Sequence, residues 1–295
     1  MKILVLVKEV PDMERVKFDS ERGVVDRSSA EAEINPFDES ALQAAVDLKE
    51  QLRMQEGARA GTRPEGDTEA GSHAETEEPA EITVLTMGPP RAEKSLRDAY
   101  ARGADRCVLL TDRAFGGSDT CATARTLAAA VRRLGGFDLI LCGEKSVDGD
   151  TAQVGAETAE FLGLPHAYYA EKISLSAAEA FVTVENLGGR KQIRRLTLPA
   201  VVGVTKNIAS PKLPTVRRKL ESLEISIETI GLEDLNGLLT ADETGFKGSP
   251  TKVAKIRVPE ELQKENLLIR EDADRFIRVV GEKLVERGII QEGCR

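Results

Sequence analysis

The chain has 295 residues, 41% of them hydrophobic, and a formal net charge of -9 at neutral pH. That length holds one large α/β unit or two domains, and the apolar fraction is sufficient for a core. The acidic balance argues against a nucleic-acid binder or an anionic membrane surface, and no apolar run approaches the roughly 20 residues of a membrane span.

Ile3-Leu4-Val5-Leu6-Val7 opens the chain as a fully apolar run, the mark of a buried parallel strand. It is too short and wrongly flanked for a secretion signal, so the chain reads as cytoplasmic and as starting directly on a strand. In INPFDESALQAAVDLKEQL, Asn35 suits a helix N-cap and Pro36 the first helical position, with Asp38 three residues on from the cap. Leu42, Ala45 and Val46 then recur at helical spacing. Gln55 to Ala80 is rich in Glu, Gly, Ala, Thr and Arg and almost free of large apolar residues, which predicts a disordered surface insertion.

A second strand is expected at Ile82 to Met87, followed by a helix to about Ala101 and a third strand at Cys107 to Leu110. A helix at Thr120 to Leu134, a strand at Asp138 to Cys142 and a helix at Thr151 to Leu162 come next. This alternation predicts βαβ units on a parallel sheet, with right-handed crossovers and helices on both faces. After about Leu164 the rhythm changes. AFVTVENLGGRKQIRRLTLPAVVGV reads as two β runs around Gly188-Gly189 and a third from Ala200, a hairpin-like appendage. From Ser210 the chain carries prolines, a basic cluster and weak periodicity, then an amphipathic helix at Asp272 to Glu286. Such a tail is expected to gain its order by lying on a partner.

The residues offer little acid, base or nucleophile chemistry. Cys107, Cys121, Cys142 and Cys294 have no CxxC neighbour, so they read as buried free thiols and not as cluster or zinc ligands. His73 sits in the low-complexity segment, and His166 follows Pro165 in what reads as a turn.

One polar elbow stands out, CGEKSVDGDTAQVG from Cys142 to Gly155, at the carboxyl end of the fourth strand. Ligands of open α/β sheets bind beyond that edge. Asp150 is expected to cap the following helix, with Gln153 returning a bond as in a capping box. Val154, Phe161 and Leu162 form its buried stripe, and Gly163 and Pro165 its stop signals. A phosphate would meet the free N–H groups of the helix start. Gly149 and Gly155 would permit close approach, and Asp148 would accept from a ribose hydroxyl or a backbone N–H. A strand–turn–helix joint needs glycine and a capping aspartate in any case, and the spacing is neither GxGxxG nor a Walker loop.

Five stretches carry a resemblance: KILVLVKEVPD at Lys2, INPFDESALQAA at Ile34, VLTMGPPRAEKSLRDAYARGADR at Val84, DLILCGEKSVDGDTAQVGAETAEFLGLP at Asp138 and LPAVVGVTKNIASPKLP at Leu198. In this combination and order the chain resembles the beta subunit of electron transfer flavoprotein. The resemblance implies an α/β fold and an adenine-nucleotide cleft. The matching contacts are Leu6, Asn35, Pro36, Phe37, Asp38 and Met87, together with Asp148, Gly149, Asp150, Thr151, Ala152, Gln153, Val154, Gly155 and Thr158, within the stretch to Ala159. Leu6 and Met87 could equally be core, and Asn35 only a cap.

Two versions of that subunit are implied. In the simple carrier the cleft holds AMP; in the electron-bifurcating relatives it holds FAD and the complex takes electrons from NADH. TGFKGSPTKVAKIRVP, Thr244 to Pro259, and the DGDTAQVG motif resemble the bifurcating group. The partners implied are an alpha subunit, in a heterodimer, and a flavin-dependent dehydrogenase or reductase docking near Thr205–Pro214, with Ile208 as an exposed apolar anchor. A different class, an adenine-nucleotide-binding regulatory protein, would not need the long tail. The expected fold class is therefore α/β: a mostly parallel, doubly wound sheet with helices on both faces, a β-hairpin appendage and an extended C-terminal arm. Residues 1–220 form the nucleotide-binding domain, with 55–80 as the insertion, and 221–295 a partner-wrapping arm.

Overall fold

The apolar run at the start of the chain becomes β1 (Lys2–Val7), with Ile3 to Val7 all buried. The computed structural model describes residues 1–12, 15–19, 24–26, 31–60, 79–176, 178–185, 188–253, 267–270 and 272–291. The chain divides into two compact units, Met1–Lys255 and Ile256–Arg295.

In the first unit, β2 (Glu9–Pro11) pairs with β5 (Ala32–Ile34), and β3 (Lys17–Asp19) with β4 (Val24–Asp26). Then follow α1 (Pro36–Ala60), β6 (Glu81–Met87), α2 (Glu93–Arg102), β7 (Arg106–Leu110), α3 (Thr120–Arg133), β8 (Leu139–Gly143) and α4 (Val154–Leu162). The remainder is β9 (His166–Ser176), β10 (Glu179–Val184), β11 (Gln192–Thr197), β12 (Ala200–Val204), α5 (Val216–Glu224), β13 (Glu228–Ile230) and the short α6 (Gly245–Gly248). Among the described residues, nine strands form one sheet in the order β11-β10-β9-β12-β8-β1-β6-β7-β13. Neighbours pair in parallel except where β10 runs antiparallel to β9 and β11.

The sheet is doubly wound. On one face, Leu42, Ala45 and Leu48 of α1 and Leu96 and Ala99 of α2 pack on Ile3, Val5, Ile82 and Val84. On the other, Leu127, Ala130 and Val131 of α3 and Ala159 of α4 pack on Leu4, Leu6, Leu85 and Ile140. Alternate strand residues therefore feed two apolar layers, which is why these strands read as continuous hydrophobic runs. Among the described residues, no helix is long and apolar enough to cross a membrane.

Several expectations need correction. The insertion expected at 55–80 is helical to Ala60, because Gln55, Glu56 and Ala58 are good helix formers that extend α1. At its other end Ala80 is fully buried in the core. Residues 61–78 lie outside the described residues, as do His73 and Cys294. The hairpin expected around Gly188-Gly189 is present as β10 and β11. The run from Ala200 is no appendage, however: β12 lies between β8 and β9 within the parallel sheet, its five residues buried. The preceding strand β9 was hidden by its irregular mixture of polar and apolar residues, and His166 is its first residue, not part of a turn. Beyond the expected boundary at 220, β13 adds the sheet edge beside β7, so the first unit runs on to Lys255.

In the second unit, α7 (Ala273–Glu286) starts where the sequence placed its helix. The Asp272 carboxylate caps it by accepting the Arg275 N–H at 2.8 Å.

Candidate functional site

β1 and β8 lie side by side, with Leu6 opposite Cys142, and then their chains part. From β1 the chain goes on to α1 on one face; from β8 it passes through the elbow to α4 on the other. Such a reversal of winding opens a crevice at the carboxyl edge.

Asp38, in the first turn of α1, ties together the two strand ends where they part. One carboxylate oxygen accepts the Lys8 N–H at 2.8 Å and the other accepts the Gly143 N–H at 2.9 Å. Gly143 has no room for a side chain: a Cβ would fall 2.5 Å from Phe37 Cβ. Asp38 is only 5% exposed. Burial pushes its carboxyl up to about 7, against the pull of those two N–H groups, the Asn35 side chain and the Lys8 charge.

Asn35, fully buried, makes a second clamp. Its amide donates to the Lys145 carbonyl at 2.9 Å and its oxygen accepts the Val147 N–H at 3.1 Å. At the start of α1 its carbonyl accepts from the Asp38 and Glu39 N–H groups, and its side chain adds a favourable contact to the Asp38 carboxyl. The side-chain cap expected of it is thus corrected. An amide satisfies two elbow groups that burial would otherwise strand, where a cap would satisfy one.

The elbow carries two ion pairs. Lys8 Nζ lies 2.6 Å from Asp148, whose side chain is 4% exposed, and 3.3 Å from Ser146 Oγ. Lys145 pairs with the more exposed Asp150 at 2.7 Å, which raises the lysine's pKa above its ordinary value. Asp150 and Ala152 both adopt left-handed backbone, with φ of 54° and 55°. Asp150 therefore caps no helix. α4 begins at Val154, and Gln153 at the cap position makes no capping bond; its side-chain oxygen accepts from Thr120 on α3. Both parts of the expected capping box are overturned, because left-handed residues delay the helix by three positions. Among the described residues, no group accepts the N–H of Thr151, Ala152, Gln153, Val154 or Gly155. Left-handed residues alternating with others turn successive N–H groups to one side, in a concavity that suits an anion.

The remaining expected residues divide. Leu6 is buried in the core below the elbow and Met87 packs against the same cluster. Phe37 is half-buried, with Lys206 Nζ 4.7 Å and Lys145 Nζ 5.8 Å from its ring centre. Pro36 is the first residue of α1. Gly149 is exposed, and a Cβ there would make ordinary contact with Ser146 Oγ at 3.5 Å and Lys8 Nζ at 3.9 Å. Thr158 turns its hydroxyl back onto the Val154 carbonyl at 2.7 Å. Gly155 is small for an internal reason: a Cβ would fall 1.8 Å from the Tyr168 hydroxyl and 2.5 Å from Cys142 Sγ. The expectation that it yields space to a ligand is corrected accordingly.

Three lysines also stand at this edge: Lys8 and Lys145 in the elbow's ion pairs and Lys206 over the Phe37 ring. Lys8 is the first residue past β1, so its position at the carboxyl edge was legible; Lys145 and Lys206 gave no such signal. Cys107 and Cys142 are buried free thiols, pushed up to about 12 by burial, whereas Cys121 is half-buried. Ile208, expected to be exposed, is half-buried against the core, and Leu213 on the same loop is 88% exposed.

A family model described as "Electron transfer flavoprotein domain" matches residues 67–230. The chain is 35% identical over 300 residues to an electron transfer flavoprotein subunit beta of Megasphaera elsdenii, covering 98% of this chain and 100% of the relative. It is 36% identical over 253 residues to the caffeyl-CoA reductase-Etf complex subunit CarD of Acetobacterium woodii, covering 86% of each. It is 33% identical over 294 residues to the acryloyl-CoA reductase electron transfer subunit gamma of Anaerotignum propionicum, covering 98% of this chain and 100% of the relative.

Proposed function

Because this chain belongs to the electron transfer flavoprotein family, on the beta-subunit side, we propose that it holds the FAD of an electron-bifurcating flavoprotein. In this reading it pairs with an alpha subunit and passes electrons from NADH to a partner reductase. The observation that carries the reading is the left-handed pair Asp150 and Ala152 ahead of α4, beside the parting of β1 and β8. The N–H groups from Thr151 to Gly155 would hold the diphosphate, with the dipole of α4 behind them. Lys8 and Lys145 place positive charge next to it. Asp148 serves here by holding Lys8, rather than by accepting from a ribose. Bound FAD supplies the redox chemistry; the chain supplies its position, its charge environment and the exclusion of water.

The relatives named for caffeyl-CoA reductase and acryloyl-CoA reductase support a reductase of a CoA ester as the partner. The likeness of Thr244–Pro259 to the bifurcating group supports FAD over AMP. The loop Thr205–Pro214 would meet the reductase, and a cytoplasmic location belongs to the same proposal.

An absorption spectrum and nucleotide analysis of the chain purified with its alpha subunit test this reading. Two flavins per heterodimer are expected. One flavin with AMP makes the protein a simple carrier, and no flavin overturns both. Ala152→Pro, which forbids a positive φ and removes one N–H, should empty the elbow.

A further inference from the structure

Tyr168 stands beneath the elbow in an unusual setting. β9 carries an extra residue here: β12 advances from Val202 to Val204 while β9 advances from Ala167 to Ala170. The neighbouring Tyr169 takes up the irregularity in left-handed backbone, φ 59°. Bulges of this kind re-aim a side chain, and left-handed non-glycine residues persist only where the surroundings hold them. The re-aimed side chain is Tyr168, whose ring packs into the core cluster below α3 and α4.

Two glycines make room for it. A Cβ on Gly203 of β12 would lie 2.6 Å from the Tyr168 ring, and one on Gly155 of α4 would lie 1.8 Å from its hydroxyl. The hydroxyl sits 3.6 Å from Cys142 Sγ on β8, and the Ala156 N–H adds a favourable contact to the same oxygen. One side chain thus touches β8, β12 and the first turn of α4, a turn without a side-chain cap of its own.

We infer that Tyr168 is a positioning residue for the elbow: its ring and hydroxyl fix the first turn of α4 over the sheet, and with it the row of N–H groups from Thr151 to Gly155. This rests on the reading that the nucleotide phosphate lies at the elbow. Tyr168 touches no ligand in this role; it acts through α4.

The chain with its alpha subunit, stripped of nucleotide, is titrated with FAD and with AMP, and amide exchange is followed at Val154, Gly155 and Ala156. Tyr168→Phe keeps the ring and removes the oxygen. It should weaken nucleotide binding about tenfold, since 1.4 kcal/mol is tenfold, and speed exchange at those amides. Ile173→Val, a loss of core contact on the same strand but in the other apolar layer, should leave affinity and those amides unchanged. Wild-type affinity in Tyr168→Phe alongside loss of binding in Ala152→Pro overturns the inference and leaves the elbow reading standing. Equal weakening in Ile173→Val overturns it too, since any destabilisation would then suffice. Wild-type affinity in Ala152→Pro overturns both.

Discussion

Asp38 accepts the Gly143 N–H at 2.9 Å, joining the start of α1 to the end of β8 across 105 residues of sequence. Its other oxygen holds the Lys8 N–H at the end of β1. One carboxyl therefore fixes the two strand ends between which the crevice opens.

That carboxyl should make stability depend on pH. Its folded value, about 7, lies above the ordinary 3.8, so between these limits the folded chain holds a proton that the unfolded chain releases. Its contribution is fully present below pH 4 and declines as pH rises through 7. Asp38→Asn lacks the titration and loses one acceptor. It should be less stable than wild type at pH 5, and the gap should narrow by on the order of 2 kcal/mol by pH 8, at up to about 1.4 kcal/mol per unit. Urea melts at the two pH values check this; a constant gap contradicts it.

Gly155 should prove intolerant of side chains for reasons internal to the fold. Gly155→Ala drives a methyl into the Tyr168 hydroxyl and Cys142 Sγ and should destabilise by about 1–3 kcal/mol. Tyr168→Phe removes the nearer of those atoms. Added to Gly155→Ala it should therefore restore part of the loss, although alone it destabilises. A double-mutant cycle measures this, and additive changes would show that the two do not meet.

The loop Thr205–Pro214, proposed above to meet the reductase, should divide its labour between two residues. Ile208 packs on the core, so Ile208→Ala should lower stability by about 1–2 kcal/mol. Leu213 contributes little to the isolated fold, being 88% exposed. Leu213→Ala should leave the melting curve and nucleotide content alone while slowing electron delivery to the reductase several-fold. Unchanged delivery would remove Leu213 from the docking surface.

α7 carries Phe276, 55% exposed, and Ile277, 66% exposed. If this helix lies against the alpha subunit, Phe276→Asp should abolish co-purification of the two subunits and spare the fold of Met1–Lys255. Retention of the heterodimer at wild-type yield would place the alpha contact elsewhere.

Continuous apolar runs at Ile3–Val7 and Ile82–Met87, with helical periods between strands, were sufficient to specify a doubly wound sheet. Both features follow from burial, which is written residue by residue into the pattern. The elbow at Cys142–Gly155 was likewise legible, since glycines and aspartates between a strand and a helix announce a turn. Its inner geometry was not. Aspartate at a strand–helix joint usually caps, but at Asp150 a left-handed backbone tied to Lys145 decides otherwise. Asn35 meets the Lys145–Val147 segment, Asp38 meets Gly143, and Tyr168 fills the space left by Gly155, each across a separation in sequence that no local pattern records. Periodicity reports which face a residue presents; only the packed sheet decides which distant residue it meets there.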